Sequence, residues 1–116
     1  MATYAPKLLK TESPIDWTLP ARAIHDRIRG LQPWPMASTI IEGARCLIHR
    51  TVVTDGHTDA RPGTLVEASG DVLAAAAGDG VILAILTIQP EGRRAMSARE
   101  FLSGRKLAPG TFLGQG

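Results

Sequence analysis

The stretch AAAAGDGVILAILTI, residues 74–88, carries the pattern that decides the fold. The Asp79-Gly80 pair stands between two apolar runs, and such a pair is typical of the tight turn of a β-hairpin. The second run is rich in valine and isoleucine, which favour strands. We interpret the alanine run as a strand too, because it is short, lies between two turns and leads directly into the second run. This stretch therefore predicts two antiparallel strands.

Similar turn signals on the N-terminal side extend the hairpin into a larger sheet. STIIE and RCLIHRTVV are joined by residues 42–44, and GTLVEA is separated from DVLAAAA by Ser69 and Gly70. These short connections contain glycine, as hairpin loops do. About five strands are predicted in all. The sequence thus indicates a mainly β fold, either a small antiparallel barrel or a sandwich.

One helix is predicted before the strands. Thr18 is the expected N-cap, Pro20 fits the first turn because its missing N–H would have no partner there, and Gly30 is the expected left-handed stop. Ile24 and Ile28 recur at helical spacing, so they form the apolar stripe of this helix.

A second, shorter helix is predicted after the strands. Ser97 followed by Glu100 has the spacing of a capping box. Phe101 and Leu102 supply its apolar side, and Gly104 ends it.

The composition fits one compact domain. The chain has 116 residues, 44% of them apolar, and one cysteine, Cys46, which excludes an internal disulfide and is expected to be a buried apolar side chain. No signal-peptide pattern is visible near residue 1. Residues 78–80 interrupt the longest apolar runs, which stay shorter than the roughly 18 to 20 residues of a membrane-spanning helix. We therefore expect a cytoplasmic protein without a membrane segment.

The sequence offers no catalytic or metal-binding pattern. It has neither a Gly-rich phosphate loop nor a GxGxxG motif that follows a strand. The three histidines, His25, His49 and His57, have no ligand spacing, and Cys46 has no companion cysteine. We expect no catalytic residues and no metal site.

The charge distribution is equally compatible with a nucleic-acid partner and with scattered, solvated side chains. Residues 1–30 hold five basic and three acidic side chains, residues 31–90 hold three and six, and residues 91–116 hold five and two. Two basic ends on one surface would attract phosphates. No aromatic residue lies in the middle strands, which argues against base stacking and leaves contacts with the phosphates of a folded or double-helical nucleic acid.

Several motifs together resemble the C-terminal domain of the methionyl-tRNA formyltransferase family. They span nearly the whole chain: KLLKTESPIDW (7–17), AIHDRIRGLQPWP (23–35), PGTL (62–65), AAGDGVILAILTIQPEGRRAMSAREFLSG (76–104) and PGTFLG (109–114). Each motif is weak alone, and their order makes the set specific. The chain departs from the family at Met36, where glycine commonly follows PWP.

The resemblance implies a single OB-like antiparallel barrel over residues 1–116, of about five or six strands, with a capping N-terminal helix and a short C-terminal helix. Residues 1–14 would be an extended linker from a catalytic domain that this chain does not contain. That domain would use 10-formyltetrahydrofolate to formylate methionyl-tRNA, and this chain would be its accessory tRNA-binding domain in translation initiation. The alternative is a docking module of another 10-formyltetrahydrofolate-dependent formyltransferase, one that acts on a small molecule such as a nucleotide sugar.

Two groups of residues are candidates for a role in this domain. Six basic side chains are expected to contact tRNA phosphates: Lys7, Lys10, Arg93, Arg94, Arg105 and Lys106. Five residues are expected to form a rigid structural plug that closes the barrel: Trp17, Ile24, Ile28, Arg29 and Trp34. For Arg29, a tRNA contact is equally compatible with its place in the motif.

Overall fold

The computed structural model describes residues 13–32, 36–105 and 107–113. In chain order the elements are β1 Ser13–Pro14, α1 Ala21–Gly30, β2 Ala37–Ile41, β3 Ala44–His57, β4 Leu65–Ser69, β5 Val72–Ala76, β6 Val81–Pro90, β7 Met96–Ser97 and α2 Ala98–Ser103. The predicted mainly β fold, with one helix before the main strands and a short helix after them, is confirmed.

All strands belong to one sheet with the order β1-β2-β3-β6-β5-β4, and β7 pairs with β6. Every pairing is antiparallel except that of β1 with β2. Within the described residues no ladder joins β1 to β4, so the sheet does not close into a ring of paired strands. The predicted hairpin is confirmed: β5 and β6 pair up to Ala76 and Ile82, and Gly80 has a φ of 82°.

The core lies between the sheet and the two helices. α1 packs mainly against β3, and α2 packs against β4, β5 and β6. The largest fully buried side chains are Phe101, Ile24, Ile28, Ile41, Ile48, Leu65, Leu73, Leu83, Ile85, Ile88, Leu113 and Cys46. Neither helix of the described chain is long and apolar enough to cross a membrane.

The start of α1 differs from the sequence prediction. Thr18 does not cap the helix, because its N–H and its hydroxyl both donate to Asp16 Oδ1. The N-cap residue is Pro20, which has no side chain able to accept a hydrogen bond. Asp79, in the turn between β5 and β6, accepts instead from the backbone N–H of Ala21 at 3.2 Å. An acceptor 58 positions away thus satisfies one of the first-turn donors that otherwise lack a partner.

Gly78, next to Asp79, lets the backbone before α1 lie directly on the β5–β6 turn. The Gly78 N–H donates to the Leu19 carbonyl at 2.8 Å. A Cβ atom at position 78 would lie 1.8 Å from the carbonyl oxygen of Thr18. Since that oxygen belongs to the backbone, no rotamer change could relieve the clash, and only glycine fits.

The end of α1 also differs from the prediction. Gly30 is the last helical residue but does not have a positive φ, so it is not a left-handed stop. The C-cap residue is Leu31, whose φ is −89° and whose N–H donates to the Arg27 carbonyl. The left-handed conformation occurs at Met36, with a φ of 79°. The backbone at this departure from the family therefore has the conformation that glycine adopts most easily.

The start of α2 agrees with its prediction. The Ser97 hydroxyl accepts from the Glu100 N–H at 3.1 Å, and the Glu100 carboxylate accepts from the Ser97 N–H at 3.3 Å. Phe101 and Leu102 are buried, and Gly104 is the C-cap residue. The local spacing of residues was sufficient to predict the start of α2, because the two capping partners lie within one helical turn.

We expect Gly78→Ala to lower the free energy of unfolding by about 1–3 kcal/mol or more, because the added Cβ forces two backbone segments apart. Gly30→Ala is the matched control. Apart from the neighbouring backbone of the helix itself, no atom lies within 4 Å of a Cβ at that position, so alanine should raise the stability by about 0.5–1 kcal/mol. Urea unfolding measures both changes. If the two substitutions change the free energy of unfolding equally, the backbone contact at Gly78 does not exclude a side chain at that position.

Candidate nucleic-acid interface

The segment between β6 and α2 carries two of the predicted phosphate-binding arginines. Arg93 and Arg94 are both exposed. Arg94 Nη2 lies 3.1 Å from Glu100 Oε2, so its charge is paired. Arg93 makes no ion pair with the described residues, and its carbonyl accepts from the Gln89 side chain at 2.9 Å. Of these two arginines, Arg93 is the one with an uncompensated charge.

Arg105 lies just beyond the end of α2 and packs on a buried ring. Its guanidinium carbon is 4.7 Å from the centroid of Phe101. Such cation–π packing fixes the side chain without neutralising its charge. Arg105 therefore presents a positive charge from a defined position.

Arg105 borders an open groove, the α2 groove, of about 520 Å³. Its lining residues are Ala68, Ser69, Gly70, Arg99, Leu102, Ser103, Arg105 and Leu107. Two arginines and no carboxylate line it. Arg99 was not among the predicted site residues, although its helical spacing to Leu102 and Ser103 places the three on one side of α2.

Three of the predicted phosphate contacts, Lys7, Lys10 and Lys106, lie outside the described residues, and so does Trp34. The other members of the predicted plug separate into two groups. Trp17, Ile24 and Ile28 are buried, and Trp17 Nε1 donates to Thr39 Oγ1 at 3.1 Å. The Arg29 side chain is exposed and makes no hydrogen bond or ion pair with the described residues.

The cysteine and two of the histidines lie near these elements in the described part of the chain. Burial raises the pKa of the Cys46 thiol, which is unfavourable for a nucleophile. His25 and His49 contact the neutral side chains of Thr51 and Gln89. Among residues 13–32, 36–105 and 107–113, no three His, Cys, Asp or Glu side chains lie close enough to hold a metal ion.

The family of the chain follows from its similarity to known proteins. Residues 7–106 match the family described as "Formyl transferase, C-terminal domain". The chain belongs to this family. It is 34% identical over 114 residues to a methionyl-tRNA formyltransferase of Bacillus velezensis, across 98% of this chain and 36% of that relative. This formyl transferase C-terminal domain therefore spans about a third of the length of its relative.

Glu100 should make the domain sensitive to acid. Its hydrogen bond from the Ser97 N–H and its pairing with Arg94 hold the pKa of Glu100 below its ordinary value. A carboxyl with a lowered folded-state pKa stabilises the fold above the unfolded pKa, about 4.3 for glutamate, and this stability is lost as pH falls through the lower, folded value. We expect Glu100→Gln to remove this part of the pH dependence.

Thermal unfolding followed by circular dichroism from about pH 7 to about pH 3 measures this effect. Glu91→Gln is the control, because the exposed Glu91 side chain makes no hydrogen bond with the described residues. If Glu100→Gln loses as much stability on acidification as the unchanged chain does, the pairing at the start of α2 does not stabilise the fold.

Proposed function

We propose that this chain is the accessory tRNA-binding domain of a methionyl-tRNA formyltransferase. In this role it contacts tRNA phosphates without reading bases and positions the aminoacyl end for formylation by a separate catalytic domain. That domain would bind 10-formyltetrahydrofolate and act in the cytoplasm during translation initiation. The similarity to the Bacillus velezensis enzyme supports the choice of acceptor.

The observation that carries the proposal is the α2 groove. Arg99 and Arg105 line it, and no carboxylate among its lining residues opposes them. Arg93 adds an unpaired charge in the segment before α2. Guanidinium groups bind phosphate oxygens with charge-assisted hydrogen bonds, and an open groove admits a continuous RNA backbone. Arg94 contributes least, because Glu100 already neutralises it.

A docking role is the second candidate, supported by a different surface. Val52 on β3 and Leu86 on β6 are 44% and 39% exposed on adjacent strands. Exposed apolar side chains on neighbouring strands favour protein contact over RNA contact. On this alternative the domain would orient the catalytic domain of a formyltransferase that acts on a small molecule such as a nucleotide sugar.

We expect Arg99→Ala/Arg105→Ala to weaken the binding of any tRNA. Each lost phosphate contact should make the plot of log affinity against log salt shallower by roughly 0.7 to 0.9. Binding to initiator and elongator tRNAs, measured at several salt concentrations, gives both affinity and slope. Equal weakening for the two tRNAs is expected, because phosphate contacts carry no sequence information.

Arg22→Ala/Arg27→Ala is the charge-matched control for this experiment. It removes two exposed arginines from α1, and neither of them lines the α2 groove. If the two double variants bind tRNA equally well, the α2 groove is not the contact surface. A loss confined to initiator tRNA would contradict binding through phosphates alone.

A further inference from the structure

A second basic groove, the α1–β3 groove, lies where the C-terminal half of α1 packs on β3. It has a volume of about 430 Å³ and is open to solvent. Its lining residues are His25, Arg29, Gln32, His49, Arg50 and Thr51. Every one of these side chains carries a nitrogen or hydroxyl group able to donate a hydrogen bond, and none is a carboxylate.

An irregularity in β3 gathers three of these side chains. Ile48 pairs with Ile88 of β6, whereas Arg50 pairs with Thr87, so that His49 is an extra residue in the ladder. Consecutive side chains of a regular strand point to opposite faces. Here His49, Arg50 and Thr51 all line the same groove, because the register shifts on both sides of Arg50 re-aim them.

Hydrogen bonds to neighbouring groups hold the irregular segment in place. The Gln32 side-chain amide donates to the carbonyl of His49. His49 Nε2 lies 2.8 Å from Gln89 Oε1, and His25 Nδ1 lies 2.8 Å from Thr51 Oγ1. Each imidazole therefore uses one ring nitrogen within the protein, and its second nitrogen has no partner among the described residues. The groove is thus fixed before any ligand enters it.

The positive charge of this groove is not compensated from within the described chain. Arg29 and Arg50 are exposed and form no ion pair. Asp26, the acidic residue of α1, is paired with Arg22 at 3.4 Å on the exposed part of the helix. Two guanidinium groups on facing elements therefore share an opening without a counter-ion, which is the electrostatic setting of a phosphate site.

We propose that the α1–β3 groove binds phosphate oxyanions, and that these belong to the backbone of a folded or double-helical RNA. The groove lies at the C-terminal half of α1, where no free backbone N–H groups of a helix N-terminus are available, so the arginine side chains would have to supply the attraction for phosphate. Long, exposed arginine side chains along an open groove suit a polyanion that passes through it. The proposal adds a second RNA-binding surface to the proposed function.

The test compares Arg29→Ala/Arg50→Ala with the control Arg22→Ala/Arg27→Ala, in the 116-residue chain. Each double variant removes two exposed arginines, and only the first pair lines the groove. The probe is a blunt RNA duplex of about 16 base pairs. We expect the log-affinity against log-salt slope to become shallower by roughly 1.4 to 1.8 in the first variant and to stay near its original value in the control.

If the slopes of log affinity against log salt are equal for the two variants, the proposal is wrong. A titration with inorganic phosphate, followed through the imidazole signals of His25 and His49, distinguishes the sources of phosphate. If phosphate alone shifts these signals while both variants bind the duplex alike, the groove takes a free phosphate and not RNA. Thermal unfolding of each variant checks that the substitutions have not unfolded the domain. The α2 groove is intact in both variants, so a failure here is distinguishable from a failure of the proposed function.

Discussion

The contact between Gly78 and the backbone of Thr18 determines where the first helix can lie. Without a side chain at position 78, a carbonyl oxygen occupies the space in which a Cβ would stand. Asp79 then provides the acceptor for the first turn of α1. Since α1 carries His25 and Arg29, the geometry of the α1–β3 groove depends on this contact at the far end of the helix.

The elements that sequence predicted well are those whose partners are close in the chain. The hairpin at Asp79-Gly80 and the capping box of α2 need only residues within a few positions of each other. The start of α1 could not be predicted in the same way. Thr18 has a side chain able to cap a helix, but its hydroxyl donates to Asp16 instead. The acceptor that replaces it, Asp79, reaches the helix only after the sheet has formed.

The sequence was also insufficient to predict the candidate site. Counting charges identifies Arg93, Arg94 and Arg105, but it does not show that Glu100 neutralises one of them or that Arg99 shares a groove with another. The α1–β3 groove could not be predicted from the sequence, because it depends on an extra residue in β3. Regular alternation places His49 and Arg50 on opposite faces of a strand, and only the register of the partner strand reveals otherwise.

The attachment of α1 to the β5–β6 turn also has a consequence for the order of folding. α1 has ten residues, no side-chain cap from its own segment and a terminal glycine, and isolated helices of that length are marginal in water. Its stabilising partner comes 58 residues later in the chain. The hairpin, which forms from local contacts, is therefore expected to form early, and α1 is expected to become stable only after most of this domain has been synthesised.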